Sequence, residues 1–229
     1  MSLYQTICAT AFGLHSHSAA YAALVLEGDY EEAGDQGQFQ VSAGDVVLHD
    51  RFETHINRFA SCRAVVLNLP LFFGTKFQPG LALVSDPDLI ARTAETNPSE
   101  AAKLLLALVQ KQAGNETDWP GELAATLLED PDTRICEWGE ARGLAPWTVS
   151  RGFAKVFGLP PEVFRTRVRA RHAWTAIRDT SEPFAALAFR LGFADQPHMV
   201  RSVKQLTGRN PHTWRNTANG FKTSDAVMP

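Results

Sequence analysis

The sequence predicts an α+β protein of two domains, an N-terminal antiparallel β-barrel followed by an all-α domain with two helix-turn-helix units. Three observations predict it. Short apolar runs alternate with glycine and aspartate turns in the first 75 residues, a helical unit recurs near the end of the chain, and charge is segregated between the two parts. Residues 1–133 carry 7 basic against 18 acidic side chains, residues 134–216 carry 14 against 6, and the whole chain sums to −3. A merely solvated surface mixes its charges. This chain divides them, so only its C-terminal part should be drawn to phosphates.

Residues 1–75 form the first expected domain. The runs Ala22–Leu26, Phe39–Val41, Val46–Leu48 and Ala64–Leu69 read as strands, and Gly28-Asp29, Gly34-Asp35, Gly37 and Gly44-Asp45 read as tight connections between them. His15-Ser16-His17 and the later segment ending at His55 resemble the histidine motifs of cupins, a likeness that implies two imidazoles aimed inward from alternating strand positions and a third, His55, supplied by a neighbouring strand. Three neutral imidazoles suit a divalent transition metal such as zinc, nickel or iron, with water or an effector in the fourth position. The same side chains, with Tyr21, suit the polar lining of a small-molecule pocket equally well. His49 is an alternative third ligand, although its place beside the end of an apolar run favours a structural role. The series from His15 and His17 to Gly28, and from Gly44 to His55, resembles the paired motifs of cupins, although Tyr21 stands where a metal-binding cupin usually has glutamate. That resemblance implies a small ligand-binding barrel. It also brings the alternative of a metal-dependent dioxygenase or isomerase fused to a DNA-binding domain, but no evident general base accompanies the histidines and no enzymatic activity is expected.

Residues 76–133 read as a helical linker. Phe77–Ser85 reads as a connector, and Pro87, Pro98, Pro120 and Pro131 divide the rest into short helices. Asn97-Pro98-Ser99-Glu100 is a helix start leading into a helix over Ala101–Gln112. Leu104, Leu105, Leu106, Leu108 and Val109 give that helix more apolar surface than one stripe needs, so a homodimer contact is expected there. Trp119–Glu129 reads as a further helix.

In residues 134–216, Arg151, Gly158, Pro161, Phe164 and Arg165 recur as Arg201, Gly208, Pro211, Trp214 and Arg215 at an offset of 50, while the turn glycines Gly143 and Gly192 differ by 49. Each copy reads as helix, glycine turn, helix, the arrangement that lays a second helix in a major groove of double-stranded DNA. The first reading helix is expected from Pro146, the second from about Pro197 to Leu206, with Gly208 as its C-cap. An arginine-rich helix from about Glu162 to Asp179 joins the copies as a spacer, and residues 217–229 read as a tail.

LGFADQPHMVRSVK (191–204), TGRNPHTWR (207–215) and RARHAWTAIRDT (169–180) strongly resemble the AraC/XylS family of bacterial transcription regulators, over essentially the whole of residues 134–215. The resemblance implies base-facing positions at Trp147, Ser150 and Arg151 in the first unit and Gln196, His198 and Arg201 in the second. Arg165, Arg169 and Lys204 are expected to meet phosphates or to brace the fold. It implies double-stranded DNA as partner, RNA polymerase as a further candidate partner, and a small-molecule or metal effector held by the N-terminal barrel. Trp138, Gly139 and Gly152 are poor helix residues expected to loosen the first unit. Cys8, Cys62 and Cys136 are too few and too scattered for a disulfide framework or a cysteine zinc site, and read as reduced thiols. With no long apolar segment and no leader-like N-terminus, a cytoplasmic location is expected.

Overall fold

The computed structural model describes residues 2–8, 10–59, 63–72, 74–111 and 118–224. The chain divides into two compact units, Met1–Ala125 with Arg151–Gly158, and Thr126–Ser150 with Leu159–Pro229.

Among the described residues, ten strands build the first unit: β1 Tyr4–Ile7, β2 Ala11–Ser16, β3 Tyr21–Glu27, β4 Asp29–Gly34, β5 Gly37–Ser42, β6 Asp45–His49, β7 Thr54–Phe59, β8 Ala64–Pro70, β9 Gly80–Val84 and β10 Val109–Lys111. They make two antiparallel sheets, one in the order β1-β8-β3-β6-β9-β10 and one in the order β2-β7-β4-β5. Among the described residues no ladder joins the two sheets, whose inner faces share one core.

Strand periodicity sorts the side chains of the larger sheet. Tyr21, Ala23, Val25, Val47 and Val66 face inward, with Tyr30, Val41 and Phe59 of the smaller sheet. The alternate positions Ala22, Leu24, Val46, Leu48, Leu67 and Leu69 enter a second core on the outer face. A sheet buried on both faces reads as unbroken apolar runs, which is why β3, β6 and β8 stand out in the sequence.

The outer face is covered by α1 (Pro87–Thr96) and α2 (Pro98–Leu108), which bring Ile90, Ala94, Ala101, Ala102 and Leu105 into that core. Asn97 ends the first of these and caps the second, its side chain accepting from the Glu100 backbone N–H at 3.1 Å. Two expectations need correction here. Phe77–Ser85 is not a bare connector, since β9 lies within it and pairs with β6, carrying the sheet beyond residue 75. The helix expected to reach Gln112 stops at Leu108, because Val109 turns extended (φ −67°, ψ 134°) and pairs with Val84 as β10; Gln112 lies outside the described residues. Leu104, Leu106, Leu108 and Val109 pack at least partly against their own chain's core. The next helix, α3, spans Trp119–Glu129, with Leu123 and Leu127 fully buried.

The remaining helices are α4 Ile135–Glu140, α5 Pro146–Phe157, α6 Pro161–Asp179, α7 Phe184–Arg190, α8 Gln196–Thr207 and α9 Pro211–Ser224. The repeat is visible element by element, α4-α5-α6 against α7-α8-α9. The turns between first and second helices pass through Gly143 at φ 68° and Gly192 at φ 69°, a left-handed conformation that costs glycine nothing. Matching positions are buried in both copies: Ile135 and Phe184, Val149 and Met199, Phe153 and Val203, Phe164 and Trp214. Gly139 does not loosen its unit. A Cβ there would stand 2.9 Å from Val149 Cγ2 and 3.3 Å from the Leu144 carbonyl oxygen, so glycine is what lets the two helices approach. The segment read as a tail from Thr217 is helical to Ser224. Cys8 and Cys136 are free, and Cys62 lies outside the described residues.

Candidate functional site

Two candidate sites emerge among the described residues. The first is the pair of second helices, α5 and α8. Trp147, Ser150 and Arg151 fall at i, i+3 and i+4 and so share one face of α5; Trp147 is 67 % exposed although indole is costly to leave in water, and Arg151 is also exposed. On α8, Gln196 and Arg201 are exposed, while His198 is drawn partly inward, its ring edge-on to Phe193 at 5.3 Å. The start of α8 is fixed by Asp195, whose carboxylate accepts the His198 backbone N–H at 2.6 Å. Replacing Asp195 by alanine should therefore fray the turn carrying Gln196 and His198 and cost about 1 kcal/mol, read as a lower melting temperature with a modest loss of DNA affinity.

The arginines expected to brace or meet phosphate divide clearly. Arg165 Nη1 donates to the Thr133 carbonyl at 3.4 Å, and its counterpart Arg215 donates through Nη2 to the Glu182 carbonyl at 2.8 Å. Thr133 and Glu182 are themselves counterparts, so both copies use one device: an arginine on the third helix ties down the chain entering the first. Arg169 bonds the Pro131 carbonyl at 3.0 Å and the Asp132 carboxylate. Arg165 and Arg169 thus brace, while Lys204 is exposed.

The second site is a cavity of about 770 Å³ between the two sheets of the first unit. It gathers His15, His17 and Tyr21 with His55 and with His49, the alternative third ligand, and adds Glu32 and Asn57, which the sequence did not single out. The rings of His15 and His55 are 4.3 Å apart between centroids, and those of His49 and His55 4.5 Å. Tyr21 stacks on His49 at 4.4 Å. His15 donates Nδ1–H to the Gly13 carbonyl at 2.8 Å, which leaves Nε2 with its lone pair free to bind. Phe52, in the turn between β6 and β7, holds φ 61°, strained for a bulky residue, and donates its N–H to the His17 carbonyl at 2.8 Å. That bond ties the turn before His55 to His17.

Electrostatics separate these histidines. Burial and the neighbouring His15 and His49 push His17 down to about 4. Burial and the other three histidines push His55 far below its ordinary value. Both are therefore neutral near pH 7, the state in which imidazole binds metal or accepts a hydrogen bond. His49 goes the other way. Burial alone would lower it, but the flanking Glu32 and Glu53 outweigh that and hold it raised. Two sets of donors could hold a metal ion: His15, His17 and His55, and the fully buried set Glu32, His49 and His55; within each, the donor atoms lie within 4.8 Å of one another.

Residues 138–217 match the model of a helix-turn-helix domain family. No curated protein matches the chain. Among solved structures, unsaturated fatty acid-bound ToxT of Vibrio cholerae is similar at 10 % identity over 93 % of both chains, with a TM-score of 0.42. A probable AraC family transcriptional regulator from Rhodopseudomonas palustris is similar at 21 % identity over 42 % of this chain and 93 % of its own, with a TM-score of 0.40. The C-terminal domain of AraT, a response regulator from Geobacillus stearothermophilus, is similar at 19 % identity over 44 % of this chain and 86 % of its own, also at 0.40. No helix among the described residues is long and apolar enough to cross a membrane. Two helix-turn-helix units thus stand in tandem, and the family match over residues 138–217 runs through both.

Proposed function

We propose that the protein is a sequence-specific regulator whose N-terminal cavity binds a small molecule or a metal ion and so sets how well α5 and α8 engage double-stranded DNA. The observation that carries the ligand half of this reading is the cavity of about 770 Å³ lined by four histidines. A cavity of that size, with a few polar groups set among apolar side chains, matches ligand pockets rather than packing defects. The ligand shifts the regulator only through unequal affinity for its two states. Trp147, Ser150, Arg151, Gln196, His198 and Arg201 are the residues placed to meet base edges, arginine offering two donors to guanine and glutamine pairing with adenine. Two grooves one turn apart, roughly 34 Å, suit two such helices. A homodimer and contact with RNA polymerase belong to the same reading.

The test is a gel shift and fluorescence anisotropy with DNA from upstream of the protein's own gene. Retardation at low salt is expected, with affinity falling steeply as salt rises through counterion release. Arg201→Ala should cost about 1–3 kcal/mol and relax preference at one base position. Uniform weakening across sequences would make Arg201 a phosphate contact, and no retardation at low salt would sink the reading.

A further inference from the structure

We infer that the cavity holds a divalent transition-metal ion on Glu32, His49 and His55, and not on the imidazole trio His15, His17 and His55. The inference rests on the reading of this cavity as the sensing site and gives that site its ligand class. Glu32 stands on β4 and His55 on β7 of one sheet, His49 on β6 of the other, and their donor atoms lie within 4.8 Å of one another. At metal–ligand bonds of roughly 2.0–2.2 Å the donors of one ion sit about 3 to 3.5 Å apart, so small side-chain rotations close the set.

Four features favour it over the trio. It is fully buried, whereas His15 and His17 are half-buried. It supplies a carboxylate, so the ion's charge is partly balanced inside a cavity where three neutral imidazoles would leave it bare. Its members are already held from behind: Glu32 Oε2 accepts from Asn57 Nδ2 at 2.9 Å while Oε1 faces His49 Nε2 at 3.8 Å, and His49 Nδ1 faces Glu53 Oε2 at 3.6 Å. A carboxylate behind a ligating histidine fixes its tautomer and ring plane, and Glu53 is in turn held by Gln36 Nε2 at 2.6 Å. Last, His55 Nδ1 is buried without a hydrogen-bond partner, a cost that a bound ion removes or that reorientation on binding relieves. Two histidines with one carboxylate is a donor set suited to iron(II), cobalt, nickel or zinc, and it keeps positions open for a further ligand. His15 and His17 are then left to face an organic effector.

The experiment titrates the full-length, chelator-treated protein with cobalt(II), reading visible d–d absorption and calorimetric stoichiometry. One ion per chain is expected. The double variant His15→Ala/His17→Ala should keep its cobalt affinity within about 3-fold, while Glu32→Gln and Glu53→Gln should each lose about 10- to 100-fold, Glu53→Gln by freeing the ring it orients. Circular dichroism of each metal-free variant checks its fold; if Glu32→Gln does not fold, His49→Asn carries the same test. The inference is overturned if the double histidine variant loses cobalt while Glu32→Gln retains it, or if the wild type takes up none at about 100 µM. No DNA enters these readings, so failure here leaves the regulator standing, and failure of the gel shift leaves the metal site standing.

Discussion

Replacing Trp174 by alanine should destabilise the C-terminal domain by about 3–5 kcal/mol and with it abolish DNA binding. A domain of about 80 residues has only roughly 4–12 kcal/mol to lose, so this one change consumes from about a quarter to all of its margin. Trp174 sits on α6, the helix joining the two repeats, and is 2 % exposed. Its ring meets Trp214 of α9 edge-on at 5.9 Å. Trp214 in turn donates its indole N–H to Thr207 Oγ1 at 2.9 Å, and that hydroxyl donates to the Val203 carbonyl at 2.8 Å, pinning the last turn of α8. Removing the indole therefore opens a cavity and frees the partner that holds the second reading helix. Arg178, whose guanidinium lies 4.6 Å over the same ring, is the control, since Arg178→Ala gives up only a partly exposed cation–π contact of about 1 kcal/mol or less. Urea unfolding followed by far-UV circular dichroism measures both. An unchanged midpoint for Trp174→Ala would show that α6 is not the core of this domain.

What was legible in the sequence follows what each strand and helix buries. The strands β3, β6 and β8 were readable because both faces of their sheet are covered and the apolar signal is continuous. The repeat was readable because turn glycines, prolines and bracing arginines are fixed by backbone geometry and recur at one spacing. The strands β2, β4 and β7 escaped the apolar-run reading because their inward positions are polar: His15, then Tyr30 and Glu32, then His55 and Asn57. A hydrophobic pattern is expected to fail where a site is built, and here it failed at the cavity wall. Glu32 is the clearest case. Beside Asp29 and Glu31 it reads as part of a solvated acidic stretch, and only its pairing opposite Asn57 places it inside. Alternation along Thr54–Phe59, with His55, Asn57 and Phe59 on one side, was the available signal. The apolar run that His49 ends favours a structural role over that of third ligand, yet the same position aims it between two carboxylates.

Gly34→Ala should be the most damaging single-methyl change in the β domain. Gly34 ends β4 directly opposite His55 of β7, and Asp35 N–H bonds the Thr54 carbonyl at 2.9 Å. A Cβ on Gly34 would stand 2.3 Å from that carbonyl oxygen, 2.7 Å from His55 Cβ and 2.8 Å from His55 Cα. Two of these three atoms belong to the backbone, so no rotamer change relieves the clash; β7 has to move by about 1 Å, carrying His55 and Asn57 with it. Overpacking costs about 1–3 kcal/mol where side chains can adjust, and a rigid ladder places this case at the upper end. For a domain of this size the melting temperature should fall by roughly 4–12 °C. Gly13→Ala is the matched control. Gly13 lines the same cavity from β2, but a Cβ there meets nothing within 4 Å, so its melting temperature should stay within about 2 °C of wild type. The two effects of Gly34→Ala are separable, because stability is read by thermal unfolding and the displacement of His55 by the shift of its imidazole resonances in NMR spectra of the folded protein. Equal melting temperatures for the two alanine variants would mean that the β4–β7 pair is not held in the register that brings Gly34 against His55.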